Sequence, residues 1–152
     1  RGGCAVGEGC GEVRACSRRV NFFVDNTFSP RLAKALALIA APEKHAFLHL
    51  LDRYNGTDLG DLVWISDLGK TPDWIILSGD RQIVSNPQRR AALSAARSVA
   101  YFMPSGFPDR DRWVQAHSLF KWFPKITASA AKARPQQIFE VRQNGAVELL
   151  RR

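Results

Sequence analysis

The chain has little cysteine and no long apolar run, and each shortage excludes a class of protein. Its three cysteines lie at positions 4, 10 and 16, in a C-x5-C-x5-C spacing that matches no familiar zinc pattern and leaves an odd number for disulfides. No apolar run approaches the roughly 18 residues of a membrane-spanning helix. The N-terminus also lacks the apolar core of a secretory signal. We therefore expect a cytoplasmic protein with no membrane partner.

Acidic residues are scarce relative to basic ones. The 22 lysines and arginines outnumber the 14 aspartates and glutamates, which gives a net charge of +8 and an isoelectric point near 10.0. Such an excess favours polyanionic partners, above all RNA or DNA. The 152 residues, 45% of them hydrophobic, suit one globular domain.

The first nineteen residues differ from the rest. They contain no aromatic residue, no leucine and no isoleucine, but hold five of the eleven glycines and every cysteine. Such a segment buries too little apolar surface to offset the entropy of ordering. We predict a disordered or non-native tail over residues 1–19 and one folded domain over residues 20–152.

From residue 20 onward, short apolar runs alternate with helix-like stretches. The predicted strands are Val20–Val24, Ala46–Leu50, Trp74–Ser78 and Val99–Met103. Ser29-Pro30 and Asn86-Pro87 are signals for helix starts, a capping side chain followed by proline. This alternation predicts an α/β fold, with helices on both faces of a mostly parallel sheet.

The C-terminal third adds helices and a hairpin. A helix over Asp111–Phe123 is predicted, with Trp113 and Phe120 on its core face, followed by a separate helical stretch from Pro124 to Ala133. Asn144-Gly145 separates two apolar alternations and predicts a two-residue β-hairpin.

Two aspartates, Asp25 and Asp80, each follow a predicted strand closely. In open α/β sheets, ligands bind beyond the carboxyl ends of the strands. Because Ser29 and Asn86 already supply caps for the helices that come next, we expect both carboxylates to be free of a capping role. These two positions are therefore the first candidates for a functional site.

Asp61 is a third candidate whose role the pattern leaves open. Asp58 could cap a helix and Asp61 could lie in its first turn, where an acid is favoured. Asp61 could equally point at the same end of the sheet as the other two aspartates. Three converging carboxylates would attract a hard divalent cation, Mg²⁺ or Mn²⁺, and such a cluster suits phosphodiester hydrolysis by an activated water.

Five short motifs, in this order, resemble the PIN-like domain of VapC-type toxins. They are Phe22–Asn26, Ser29–Leu36, His49–Tyr54, Asp61–Ile65 and Asp73–Arg81. The resemblance extends over roughly residues 21–150. It implies a PIN-like three-layer α/β/α sandwich and a metal-dependent ribonuclease, often the toxin of a toxin–antitoxin pair. The implied cofactor is Mg²⁺ or Mn²⁺, and the implied partners are RNA and a cognate antitoxin protein.

The resemblance also assigns roles to residues. It makes three acids both catalytic and metal-binding: Asp25, Asp61 and Asp80. Asn26 would orient Asp25 or a water. PIN nucleases usually carry a further acid on an intervening helix, a role that would fall here to Asp52 or Asp58.

Three arginines follow the strand that precedes Asp80, namely Arg81, Arg89 and Arg90. They are predicted to contact RNA phosphates beside the acidic site, although a solvated helix face would explain the same pattern. A second hypothesis is a catalytically weak PIN-like module that binds nucleic acid or a protein. A receiver-like phosphate-signalling domain fits less well, because Asp25-Asn26 offers one acid where a pair is needed. The oligomeric state stays open, with a homodimer among the options.

Overall fold

The computed structural model describes residues 18–71 and 73–150. The three cysteines and the first seventeen residues of the predicted tail lie outside the described residues. No helix in the described part of the chain is both long enough and apolar enough to cross a membrane.

In the described part of the chain, six strands form a single sheet. They are β1 (Asn21–Val24), β2 (Ala46–His49), β3 (Trp74–Ser78), β4 (Val99–Phe102), β5 (Ile138–Val141) and β6 (Val147–Leu149). Their order across the sheet is β2-β1-β3-β4-β5-β6. Neighbouring strands are parallel from β2 to β5, and β6 runs antiparallel to β5. The predicted α/β class, the mostly parallel sheet and the C-terminal hairpin are confirmed.

Across residues 18–71 and 73–150, six helices connect the strands, together with a short 3-10 turn at Ala41–Glu43. They are α1 (Pro30–Ile39), α2 (Leu50–Arg53), α3 (Asp61–Leu68), α4 (Gln82–Ser85), α5 (Pro87–Ala95) and α6 (Arg112–Ala130). The side chains of Ser29 and Asn86 accept backbone N–H groups at the starts of α1 and α5. Both predicted helix starts are therefore confirmed.

The sheet is buried on both faces. Successive residues of β1 point to opposite sides, so Phe22 packs with residues of α1 and α6. Phe23 packs in a second cluster with residues of α2, α3, α4 and α5. These two apolar layers, one on each face, make the domain a three-layer α/β/α sandwich.

The last helix corrects two predictions. It runs unbroken through Pro124, although proline lacks the N–H that an interior helical position normally donates. Phe123 and Ile126, on either side of Pro124, are buried in the core, and this packing holds the helix together. Trp113, predicted to face the core, is 72% exposed, because burial along α6 begins only at Gln115.

The C-terminal hairpin corrects a third prediction. Its loop has three residues, 143–145, instead of two. The N–H of Arg142 donates to the carbonyl of Ala146, and the N–H of Gly145 donates to the carbonyl of Arg142, both at 2.8 Å. Gly145 has a φ of 80°, as the left-handed position of such a three-residue loop requires. The Asn-Gly pair therefore predicts the position of the hairpin correctly. Gly145, however, is the third loop residue and forms a β-bulge, instead of being the second residue of a two-residue turn.

Candidate active site at the carboxyl edge of the sheet

The site begins with a serine hydroxyl shared by two acidic positions. Strands β1 and β3 are parallel neighbours, so both end at the same edge of the sheet, and Asp25 follows β1 directly. Ser78, the last residue of β3, is fully buried. Its hydroxyl donates to Asp25 Oδ2 and accepts the backbone N–H of Asp80 at 3.0 Å. Ser78 thus contacts the carboxylate of Asp25 and the backbone of Asp80.

Asp25 is fixed from its other side by Thr27. The backbone N–H of Thr27 donates to Asp25 Oδ1 at 3.0 Å, and its hydroxyl donates to the same oxygen. The Thr27 hydroxyl oxygen also accepts the N–H of Gly79 at 2.6 Å. A side chain at Gly79 would approach Pro108 Cγ to 2.7 Å, so the backbone packs closely here. Both oxygens of the buried carboxylate therefore have partners.

Burial governs the ionisation of Asp25, which is only 4% exposed. Loss of hydration raises the pKa of its carboxyl to about 6, against an ordinary 3.8. The donors on Ser78 and Thr27 lower this pKa in part, and the negative charge of Asp80 raises it further. A cation beside Asp25 would make its ionised form easier to keep.

Asp80 has a local structural role that its sequence position does not suggest. Its Oδ1 accepts the N–H of Gln82 at 2.8 Å, at the first residue of α4. The expectation that Asp80 is free of a capping role is therefore wrong. The reason is α4 itself, a four-residue helix too short to show a periodic pattern. The second oxygen, Oδ2, remains directed to a different partner.

Asp61 is the first residue of α3, and the helix is capped by Gly60. Asp58, considered as the cap, is exposed and lies before it. One oxygen of Asp61, Oδ1, accepts the indole N–H of Trp64 at 3.1 Å. Since Trp64 is buried, this hydrogen bond holds the Asp61 carboxylate at the N-terminus of α3.

Arg89 joins Asp61 to Asp80. On α5, its Nε lies 3.1 Å from Asp61 Oδ2, and its Nη1 lies 3.7 Å from Asp80 Oδ2. All three side chains are partly buried, at 23% to 31% exposure. The arginine predicted to contact RNA phosphate thus also contacts two of the predicted metal ligands.

The donor types at this edge suit Mg²⁺ or Mn²⁺, since hard cations prefer carboxylate oxygens. However, the arrangement of these side chains does not direct the three carboxylates at one position. Across residues 18–71 and 73–150, no three acidic, histidine or cysteine side chains are placed to hold a metal together. Asp25 is engaged by hydroxyl groups, whereas Asp61 and Asp80 are engaged by Arg89.

The remaining predicted acids and the amide lie at the periphery. Asn26, Asp52 and Asp58 are exposed. None of them contacts Asp25, Asp61 or Asp80 through a side-chain hydrogen bond in the described part of the chain. The structure therefore places Asp25, Asp61 and Asp80 at one edge of the sheet, whereas the other three predicted site residues lie apart from them.

A second buried acid, Glu140, joins Asp25 among the described residues, and the sequence did not indicate it. The register pairs Ser78 with Phe102 and Phe102 with Glu140, so Glu140 lies in the same cross-strand row as Ser78. Arg81 donates to Glu140 Oε1, and Arg142 lies 3.2 Å from Glu140 Oε2. Only the strand register brings Glu140 to this edge, and no local motif could have indicated it.

The three arginines predicted to bind RNA therefore have different environments. Arg81 is paired with Glu140, and Arg89 is paired with Asp61 and Asp80. Arg90 is exposed and lines a groove between α5 and the C-terminal hairpin. Only Arg90 has no carboxylate partner among the described residues.

The fold and its acidic edge together define a nuclease-type α/β/α domain. The sequence profile described as "PIN like domain" matches residues 20–105, more than half of the chain. The chain belongs to the PIN-like domain family. The matched region runs from the start of β1 past the end of β4, and it contains Asp25, Asp61, Asp80 and Arg89. No curated protein and no solved structure matches the chain.

Proposed function

We propose that this protein is a metal-dependent ribonuclease that hydrolyses RNA phosphodiester bonds, of the VapC toxin type. The observation that carries the proposal is the pair of links at the carboxyl edge. The Ser78 hydroxyl donates to the Asp25 carboxylate and accepts the backbone N–H of Asp80, and Arg89 pairs with both Asp80 and Asp61. A PIN-like domain thus has three acids at one edge of its sheet, two of them linked by an arginine. RNA and a cognate antitoxin are its proposed partners, and the cytoplasm is its proposed location.

The three acids are the residues that would hold Mg²⁺ or Mn²⁺. When bound, such an ion activates a water and neutralises charge on the scissile phosphate. Ser78 and Thr27 orient the Asp25 carboxylate by donating to both of its oxygens. Asp25 must be ionised to act as a ligand, and its raised pKa means that this form is reached only near neutral pH in the metal-free protein.

The charge of the chain supports a nucleic-acid substrate. Its net charge is +8, and the phosphate backbone accounts for much of the affinity of such proteins for nucleic acid. Arg90 lies on the same helix as Arg89, has no carboxylate partner among the described residues, and could contact an RNA phosphate. RNA affinity should therefore fall steeply as salt concentration rises.

The test is RNA cleavage by purified protein with Mg²⁺, with Mn²⁺ and with EDTA. Cleavage is expected only with a divalent metal. Asp80→Asn keeps the size of the side chain but removes a charge from the metal site, so it should abolish cleavage and leave RNA binding intact. Glu43→Gln, at an exposed position in the 3-10 turn, is the matched control and should cleave normally. Cleavage that persists in EDTA or in Asp80→Asn contradicts the mechanism.

One observation favours a second function, a catalytically weak PIN-like module that binds nucleic acid or a partner protein. Arg89 forms ion pairs with two of the three acids, Asp61 and Asp80, within the protein itself. If the wild type binds RNA but cleaves none across several metals and substrates, this binding function replaces the nuclease.

A further inference from the structure

Arg89 lies in an unusual place for a basic residue. It is in the first turn of α5, where the N–H of Arg89 donates to the side chain of Asn86 at 3.1 Å. The positive end of the helix dipole favours acids at that position and disfavours bases. The local energetics of α5 therefore do not account for an arginine here.

The neighbouring helix α3 provides the explanation. Asp61 lies at its first position, and its free oxygen meets the Arg89 Nε at 3.1 Å. The other end of the same guanidinium faces Asp80 Oδ2 at 3.7 Å. One planar cation thus spans the gap between two carboxylates that would otherwise repel each other.

In each carboxylate, Arg89 faces the oxygen that accepts no hydrogen bond from another described residue. The second oxygen of Asp61 is occupied by Trp64, and that of Asp80 by the N–H of Gln82. A metal ion that binds both acids through their free oxygens must therefore use the atoms that Arg89 now holds. Arginine keeps its charge at every accessible pH, so deprotonation cannot release it.

We propose that Arg89 is a resident counter-ion, and that a divalent cation binds by displacing its guanidinium from Asp61 and Asp80. This inference rests on the proposed metal-dependent function, because it assigns the same acids to the metal. It predicts that wild-type protein binds metal weakly, since each binding event breaks two ion pairs. Removing the guanidinium should strengthen metal binding.

The size of the effect follows from charge. In wild type the metal must break the attraction between the guanidinium and two carboxylates about 4 Å away, which even at the dielectric constant of water weakens metal affinity roughly tenfold. Arg89→Met removes that charge but keeps an unbranched apolar side chain. Arg134→Met makes the same change at an exposed arginine that precedes β5, at the opposite edge of the sheet, and has no carboxylate partner among the described residues.

The experiment is a titration of the three metal-free proteins with Mn²⁺, followed by electron paramagnetic resonance of the free ion. Arg89→Met should bind Mn²⁺ about tenfold more tightly than wild type, by the charge argument above, and Arg134→Met should bind like wild type. Thermal unfolding in EDTA checks the fold, and Arg89→Met should melt below wild type because Asp61 and Asp80 then repel each other. If Arg89→Met does not fold, Arg89→Lys replaces it. Lysine cannot contact both carboxylates at once, so the Arg89→Lys protein should bind Mn²⁺ more tightly than wild type, but by less than about tenfold.

Two outcomes would overturn the proposal, and they are distinguishable. Equal Mn²⁺ affinity in all three proteins means that Arg89 does not compete with metal, while the metal site itself stands. No Mn²⁺ binding in any protein removes both the counter-ion role and the proposed metal-dependent function.

Discussion

The buried carboxyl of Asp25 should make the stability of the protein depend on pH in a direction opposite to that of most aspartates. Its pKa is about 6 in the folded state and 3.8 when unperturbed. Between these values the folded state binds more protons than the unfolded state. The free energy of unfolding therefore falls as pH rises through this window. Above about pH 6, keeping Asp25 ionised costs about 3 kcal/mol.

The substitution Asp25→Asn removes this cost because the amide cannot ionise. It also places an amide NH₂ where Oδ2 accepts the Ser78 hydroxyl, and losing one buried partner costs about 1–3 kcal/mol at any pH. The net sign at one pH is thus set by two similar terms, but their pH dependence differs. Relative to wild type, the variant should gain about 2 kcal/mol between about pH 4.5 and pH 8.

The assay is urea unfolding of both metal-free proteins in EDTA at several pH values across this range. Asp58→Asn makes the same chemical change at an exposed position and is the control. A difference between Asp25→Asn and wild type that does not change with pH would refute the reasoning, since it would mean that the buried carboxyl is no harder to ionise than a free one.

Three further predictions test the packing around the site and the corrected elements. Ser78→Ala should lower the free energy of unfolding by about 1–3 kcal/mol in urea, because it leaves Asp25 Oδ2 without its donor. Gly145→Ala should lower the melting temperature more than Gly56→Ala does: both have a φ of 80°, but only position 145 lacks room for a Cβ. Trp113→Ser should change stability by less than about 0.5 kcal/mol in the same urea assay, as expected for an exposed side chain, and a larger loss would mean that it packs in the core.

Local sequence patterns predicted the strands and helix starts well, because these elements depend on runs of apolar residues and on capping side chains that lie close together in the sequence. The apolar run that became β3, Trp74–Ser78, has the same bounds in the structure. Ser29 and Asn86 each accept an N–H at a helix start. The positions of Asp25 and Asp80 after parallel strands follow directly, because neighbouring parallel strands end at the same edge.

Other features depend on contacts between distant segments, and no local pattern contains them. The pairing of Arg89 with Asp61 requires α3 to lie beside α5. Glu140 reaches the edge through the register of β5. Trp113 has helical spacing with Phe120, but spacing alone does not reveal where along α6 burial begins.

The proposed mechanism requires that Asp25, Asp61 and Asp80 hold one divalent cation. Anomalous diffraction from crystals of the protein grown or soaked with Mn²⁺ locates that ion. We expect a manganese peak bonded to oxygens of these three carboxylates, with the Arg89 guanidinium moved away from Asp61 and Asp80. A Mn²⁺-saturated crystal in which Arg89 still spans both acids, with no peak between them, would contradict it.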